Sequence, residues 1–178
     1  MGERRLIIDQ LKFTYEGVFD LPALYKIMDD FFYEKKYDRV EKLNTEQILP
    51  SGRSIKIETI PYKNITDYFN IHVRIRIYAT GLKRVELEKD GAHLSLQEGK
   101  IMIIFDGYVN SDRYGWWENK PILWFLRVLL DKYIFKGHYM KAEQWLISDV
   151  DDLYLRIKSL FNVYRTYRER DIVAKHVI

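Results

Sequence analysis

The chain has 178 residues, 47% hydrophobic and 31% charged, which fits one globular domain able to bury a core and excludes a disordered polymer. Lys and Arg number 29 against 26 Asp and Glu, for a net charge of +3, too even a balance for a dedicated nucleic-acid coat protein. Cysteine is absent, which excludes disulfides, zinc–thiolate sites, iron–sulfur clusters and thiol catalysis. Tyrosine is the commonest aromatic, with 14 residues; its apolar body and polar tip suit half-buried sheet surfaces, pocket walls and interfaces. The many Lys, Glu, Tyr and Ile resemble a thermophile-like composition. The first residues lack the pattern of a signal peptide, because only Leu6-Ile7-Ile8 separates the charged start from Asp9. Arg5 and Leu6 stand where a myristoylation site needs Ser or Thr. The longest apolar run, 121–135, is short and interrupted by Arg127, Asp131 and Lys132, so no membrane span and a cytoplasmic location are expected.

In chain order, residues 4–16 read as a strand with Ile7, Leu11, Phe13 and Tyr15 on one face. Asp20 then caps a helix with Pro22 in its first turn, and Leu24, Ile27, Met28, Phe31 and Phe32 make its apolar stripe. Residues 40–49 suit helix or strand. The turn signal Pro50-Ser51-Gly52 and the extended stretch after it favour a hairpin, with Ile55, Ile57 and Thr59 on one face of the second arm. Residues 61–70 read as a connection or an irregular edge. The clearest strand is 71–79: Ile71, Val73, Ile75, Ile77 and Ala79 point inward and His72, Arg74, Arg76 and Tyr78 outward. Thr80-Gly81 ends it. A strand at 84–89 follows with Val85 and Leu87 inward. Asp90-Gly91 is a hairpin turn, and 92–97 returns with Leu94 and Leu96 inward. Glu98-Gly99 turns again into 100–109, where 101–105 is apolar on both faces and calls for cover on both sides. A polar loop follows at 110–118. A helix is expected over 121–135, stopped by Gly137. A second runs over 139–164, with Leu146, Val150, Leu153, Ile157, Leu160, Phe161 and Tyr164 as its stripe and Asp152–Arg156 as an i,i+4 pair. Residues 1–166 form one α+β domain, and 167–178 a basic tail.

This order, β-α, then five or six strands, then α-α, implies an antiparallel sheet of about six to seven strands with the helices packed on one face. It resembles the helix-grip layout of START and Bet v 1-like domains, in which a curved sheet wraps a long C-terminal helix. It is also similar to the TATA-binding-protein-like layout. Both likenesses rest on element order, and the helix at Pro121 departs from the first.

Chemical motifs are sparse. His72, His93, His138 and His176 have no metal-ligand spacing, so no metal or cofactor is expected. Asp149, Asp151 and Asp152 read as a helix-start or solvated-face cluster rather than a calcium loop. Arg74 and Arg76 suit phosphates, but Glu58, Glu86 and Glu88 on adjacent strands make a cross-strand charge ladder the simpler reading. Tyr114, Trp116, Trp117 and Trp124 form an aromatic patch suited to a partner or to core packing. No nucleophile elbow or glycine-rich phosphate loop occurs.

The expectation is therefore a non-catalytic binding or interaction domain. A small apolar ligand would lie in a cavity between sheet and C-terminal helices, lined by Ile75, Ile77, Val85, Leu153, Ile157 and Phe161. The alternatives are a self-assembling protein, motivated by the doubly apolar strand and the tryptophans, and weak nucleic-acid contact through the basic tail.

Overall fold

The computed structural model describes residues 4–38, 41–49, 52–66, 68–89, 92–111 and 136–175. In chain order the elements are β1 (Arg4–Phe19), α1 (Leu21–Glu34), β2 (Glu41–Leu49), β3 (Gly52–Thr59), β4 (Tyr62–Asn64), β5 (Phe69–Lys89), β6 (Ala92–Ser111) and α2 (Lys136–Lys175). All strand pairs among the described residues are antiparallel. The six strands form one open sheet in the order β1-β6-β5-β3-β2, with β4 on β5. The α+β class therefore stands, and residues 41–49 are strand.

The local reasons are mostly those of the sequence. Asp20 caps α1: its side chain accepts from the Ala23 N–H at 3.3 Å, with Pro22 in the first turn. Leu24, Met28, Phe31 and Phe32 are buried on one side of α1. Along α2, Ala142, Leu146, Val150, Leu153, Ile157 and Phe161 form the buried stripe. The stripe lies on the inner rows of the sheet, where Ile75, Ile77, Ile103 and Phe105 are fully buried. Phe161 is a hub, its ring 5.1 Å from Phe13, 4.9 Å from Tyr15 and 5.6 Å from Phe19. Polar clamps hold α1 to α2. Arg156 donates to Glu34 at 2.7 Å and to Asp152 at 2.9 Å, and the Tyr37 hydroxyl donates to buried Asp149 at 3.0 Å. Burial and the neighbouring Asp149 carboxylate push the Tyr37 hydroxyl far above its usual pKa, so it stays a donor. The i,i+4 pair is thus observed, whereas the aspartates neither start the helix nor share a solvated face, because Asp149 is buried against Tyr37.

Four expectations change. Thr80-Gly81 and Glu98-Gly99 do not end strands. β5 and β6 run through them as a single long hairpin. Thr80 pairs with Lys100 and Lys83 with Glu98, so Gly81 and Leu82 oppose Gly99 alone. This is a β-bulge, two residues against one. Gly81 takes φ +66°, and a Cβ on Gly99 would lie 2.9 Å from both Leu82 Cδ2 and the Thr80 carbonyl oxygen. Secondly, the extra residue reverses the alternation beyond it. Ala79 and then Leu82 face the core. Val85 instead pairs with Leu96, which is buried outside the main core, while the next residue, Gln97, reaches α1 by accepting from the Leu21 N–H at 3.2 Å. Val85 and Leu96 therefore face away from the helices. Thirdly, Gly137 lies within α2, which is described over Lys136–Lys175, so it does not stop a helix there. Fourthly, 61–70 is more regular than a connection or irregular edge: it contains the short β4, paired with β5, and the start of β5. The helix expected over 121–135 lies outside the described residues. No helix among the described residues is long and apolar enough to cross a membrane.

The two bulge glycines make different demands. Gly81→Asn keeps a residue tolerant of the left-handed region and should cost under about 1 kcal/mol. Gly99→Ala forces backbone apart and should cost about 2 kcal/mol or more. Urea denaturation of both variants measures the order, and equal losses would contradict the bulge geometry.

Candidate functional site: the outer face of the sheet

Strand alternation places a second set of side chains on the face opposite α2. From β5 these are Asn70, His72, Arg74, Arg76 and Tyr78. From β6 they are Met102, Ile104, Asp106, Tyr108 and Asn110, their partners in register. β1 adds Arg4 and Lys12, opposite Asn110 and Ile104. β3 adds Lys56 and Glu58, opposite Tyr78 and Arg76. The doubly apolar stretch of β6 is explained here. Ile101, Ile103 and Phe105 face the core. Ile104 is buried on the other side, in register between Lys12 and Arg76, whose aliphatic stems can cover it.

The two arginines are fixed by carboxylates. Arg74 Nε donates to Glu58 at 2.9 Å, and Arg76 Nη2 donates to Asp106 at 2.7 Å. The Glu58 hydrogen bond is the main reason Arg74 is held above its usual pKa. Asp106 is only 3% exposed, and its other oxygen accepts from the Gln10 N–H at 3.0 Å. That donor comes from an irregularity in β1, whose register against β6 slips between Leu6 and Ile8 and again between Ile8 and Leu11, with Gln10 at φ +49°. A buried carboxylate needs such partners, since an unpaired one is strongly disfavoured.

The charge ladder is thus present with different members. Glu58 has its expected role, but Asp106 takes the place given to Glu86 and Glu88. Glu86 lies beyond the β5 bulge, where alternation is reversed, and sits 4.0 Å from exposed Arg84. Asp106 was not singled out in the sequence because it ends an apolar run. A lone carboxylate at an even position of that strand was the available signal.

Aromatic rings surround the arginines. The Arg4 guanidinium lies 3.7 Å from the Tyr108 ring centre, and the Lys56 ammonium 5.6 Å from that of Tyr78. Tyr62 and His72 stack with centroids 5.6 Å apart. Three side-chain atoms at this end of the sheet are buried without a hydrogen-bond partner: Asn70 Oδ1, His72 Nε2 and Asn110 Oδ1. Burial, with the Arg4 charge adding to it, lowers the His72 pKa to about 4, so its ring is neutral at pH 7.

The residues proposed for an apolar cavity divide. Ile75, Ile77, Leu153, Ile157 and Phe161 come together, each at most 1% exposed, in the core between sheet and α2. Val85 is not among them. Tyr114, Trp116, Trp117 and Trp124 lie outside the described residues. A groove of about 410 Å³ runs elsewhere, between α1 and α2, past Ile27, Asp30, Leu160 and Val163. No protein-family model matches the chain, and no curated protein matches it in sequence.

His72 makes stability depend on pH. Its folded pKa of about 4 lies below the unfolded value near 6.5. Below pH 6.5 the unfolded chain takes up a proton that the folded chain refuses, so stability falls between pH 6.5 and 4. The contribution is intact above that window and lost below it, on the order of 2–3 kcal/mol. Chemical denaturation at pH 7.5 and 4.5 should show a smaller difference for His72→Gln than for the parent chain. Identical differences would contradict a ring kept neutral in the folded chain.

Proposed function

We propose that this chain is a non-catalytic binding domain that recognises an anionic partner on the outer face of its sheet. One observation carries the reading. The carboxylates nearest the centre of that face, Glu58 and Asp106, are already engaged by arginines, while Arg4 and Lys56 lie over its rings and Lys12 stands opposite Ile104 as a further cation. The solvent-facing balance there is positive although the whole chain is nearly neutral, and local fields of this kind steer anions. The helix-grip likeness belongs to the same proposal. A long C-terminal helix fills the inner side with Leu153, Ile157 and Phe161, which favours the opposite side for recognition over the apolar-ligand alternative. Retention on heparin tests this. Replacing Arg4, Lys12 and Lys56 with Gln should lower the eluting salt markedly. The same loss of charge at Lys26, Lys141 and Lys158, exposed on the helices, should lower it much less. Equal shifts would remove the outer face as the site.

Self-assembly is the second reading, favoured by the position of β2 at the sheet edge with Ile48 83% exposed. Light scattering should then give a mass above the monomer that Ile48→Lys reduces. A monomer at high concentration argues against it.

A further inference from the structure

Resting on the anion-binding reading, we propose that the partner is a single-stranded nucleic acid whose bases stack on Tyr78 and Tyr108 while its phosphates meet Arg74, Arg76 and the flanking cations. The arrangement along β5 motivates this. His72, in register with Tyr108, and Tyr78 are six residues apart on one strand face, about 20 Å at the usual rise. The two arginines lie between them. Rings at both ends and guanidinium groups in the middle suit a chain that alternates planar bases with phosphates.

The arginines keep donors to spare. A guanidinium has five N–H donors. Arg76 gives Nη2 to Asp106 and its Nε is buried, while Arg74 gives Nε to Glu58 and also bonds Tyr108. The Arg74 and Arg76 side chains remain 34% and 21% exposed, so the carboxylates fix the direction of each guanidinium and leave part of it open. The cations over Tyr78 and Tyr108 already mark those rings as faces that accept a planar or charged group. A base displacing the Lys56 or Arg4 head from its ring leaves that head beside the adjacent phosphate. A duplex fits less well, because its bases are stacked on one another and offer no free face. A lipid surface would supply charge and no use for the rings.

Fluorescence anisotropy of the full chain with labelled oligo-uridine and oligo-thymidine, roughly a dozen nucleotides each, tests the proposal. Both single strands should bind more tightly than a duplex of equal length. Tyr78→Ala and Tyr108→Ala should each weaken binding roughly 5- to 100-fold, and the Phe variants should restore it. Arg4→Gln should reduce the slope of log affinity on log salt by about 0.7. Urea denaturation of each variant separates lost binding from lost folding. Anion binding that ignores the tyrosines, or is matched by inorganic polyphosphate, overturns base stacking and leaves the anion-binding reading intact. Sedimentation with phosphatidylserine vesicles but no oligonucleotide binding also overturns it, in favour of a membrane surface. A parent chain that neither stays on heparin nor binds the oligonucleotides overturns both.

Discussion

The inner row of β5 is the constraint on which the molecule depends. Ile71, Val73, Ile75, Ile77 and Ala79 are at most 2% exposed. Burying five side chains at alternate positions commits the intervening residues to the opposite face, because successive side chains on a strand point opposite ways. His72, Arg74, Arg76 and Tyr78 are therefore held on the outer face by the core rather than by their own contacts. A slip of one residue would bring arginine under α2 and isoleucine into water, which makes this register strongly specified. The same commitment on β6 sets Asp106 and Tyr108 beside them.

Local irregularities then complete what alternation begins. One extra residue at Gly81-Leu82 lets a 21-residue strand continue against its partner while changing which residues face the helices. Extra residues in β1 near Gln10 turn a backbone N–H toward Asp106. Without that donor and Arg76, the buried carboxylate would bear a large desolvation cost. The two bulges thus serve different ends, one shaping the sheet and the other satisfying a charge within it.

The two faces of the sheet differ in kind. The helix side is filled by apolar contacts, with Phe161 against three rings and α1 tied to α2 through Arg156 and Asp149. This side supplies the rigidity. The outer side bears oriented arginines, cation-covered rings and a neutral, half-buried histidine. A preorganised polar surface on a stiff sheet lowers the ordering cost of binding, and this links the core packing to the function proposed for the opposite face.

Much of the architecture was legible in local pattern. Alternation marked 71–79, Asp20 with Pro22 marked the start of α1, and spacing of three and four marked the buried stripe of α2, because each signal depends only on nearby residues and the geometry of one element. The turns at Gly81 and Gly99 were misread for a physical reason: a glycine that ends a strand and one that admits a bulge carry the same local freedom, and only the partner strand distinguishes them. The side taken by Val85 followed from that same choice. The partners of Arg74 and Arg76 were ambiguous because several carboxylates lay on neighbouring strands. Glu58 and Asp106 stand in register with Arg76 and Arg74, and each pairs diagonally with the other arginine. The sequence by itself determined which residues share a strand face or helix stripe, since that periodicity is local. Only the tertiary structure decided which strands adjoin, where alternation reverses and which charges meet, since these depend on pairing between residues distant in the chain.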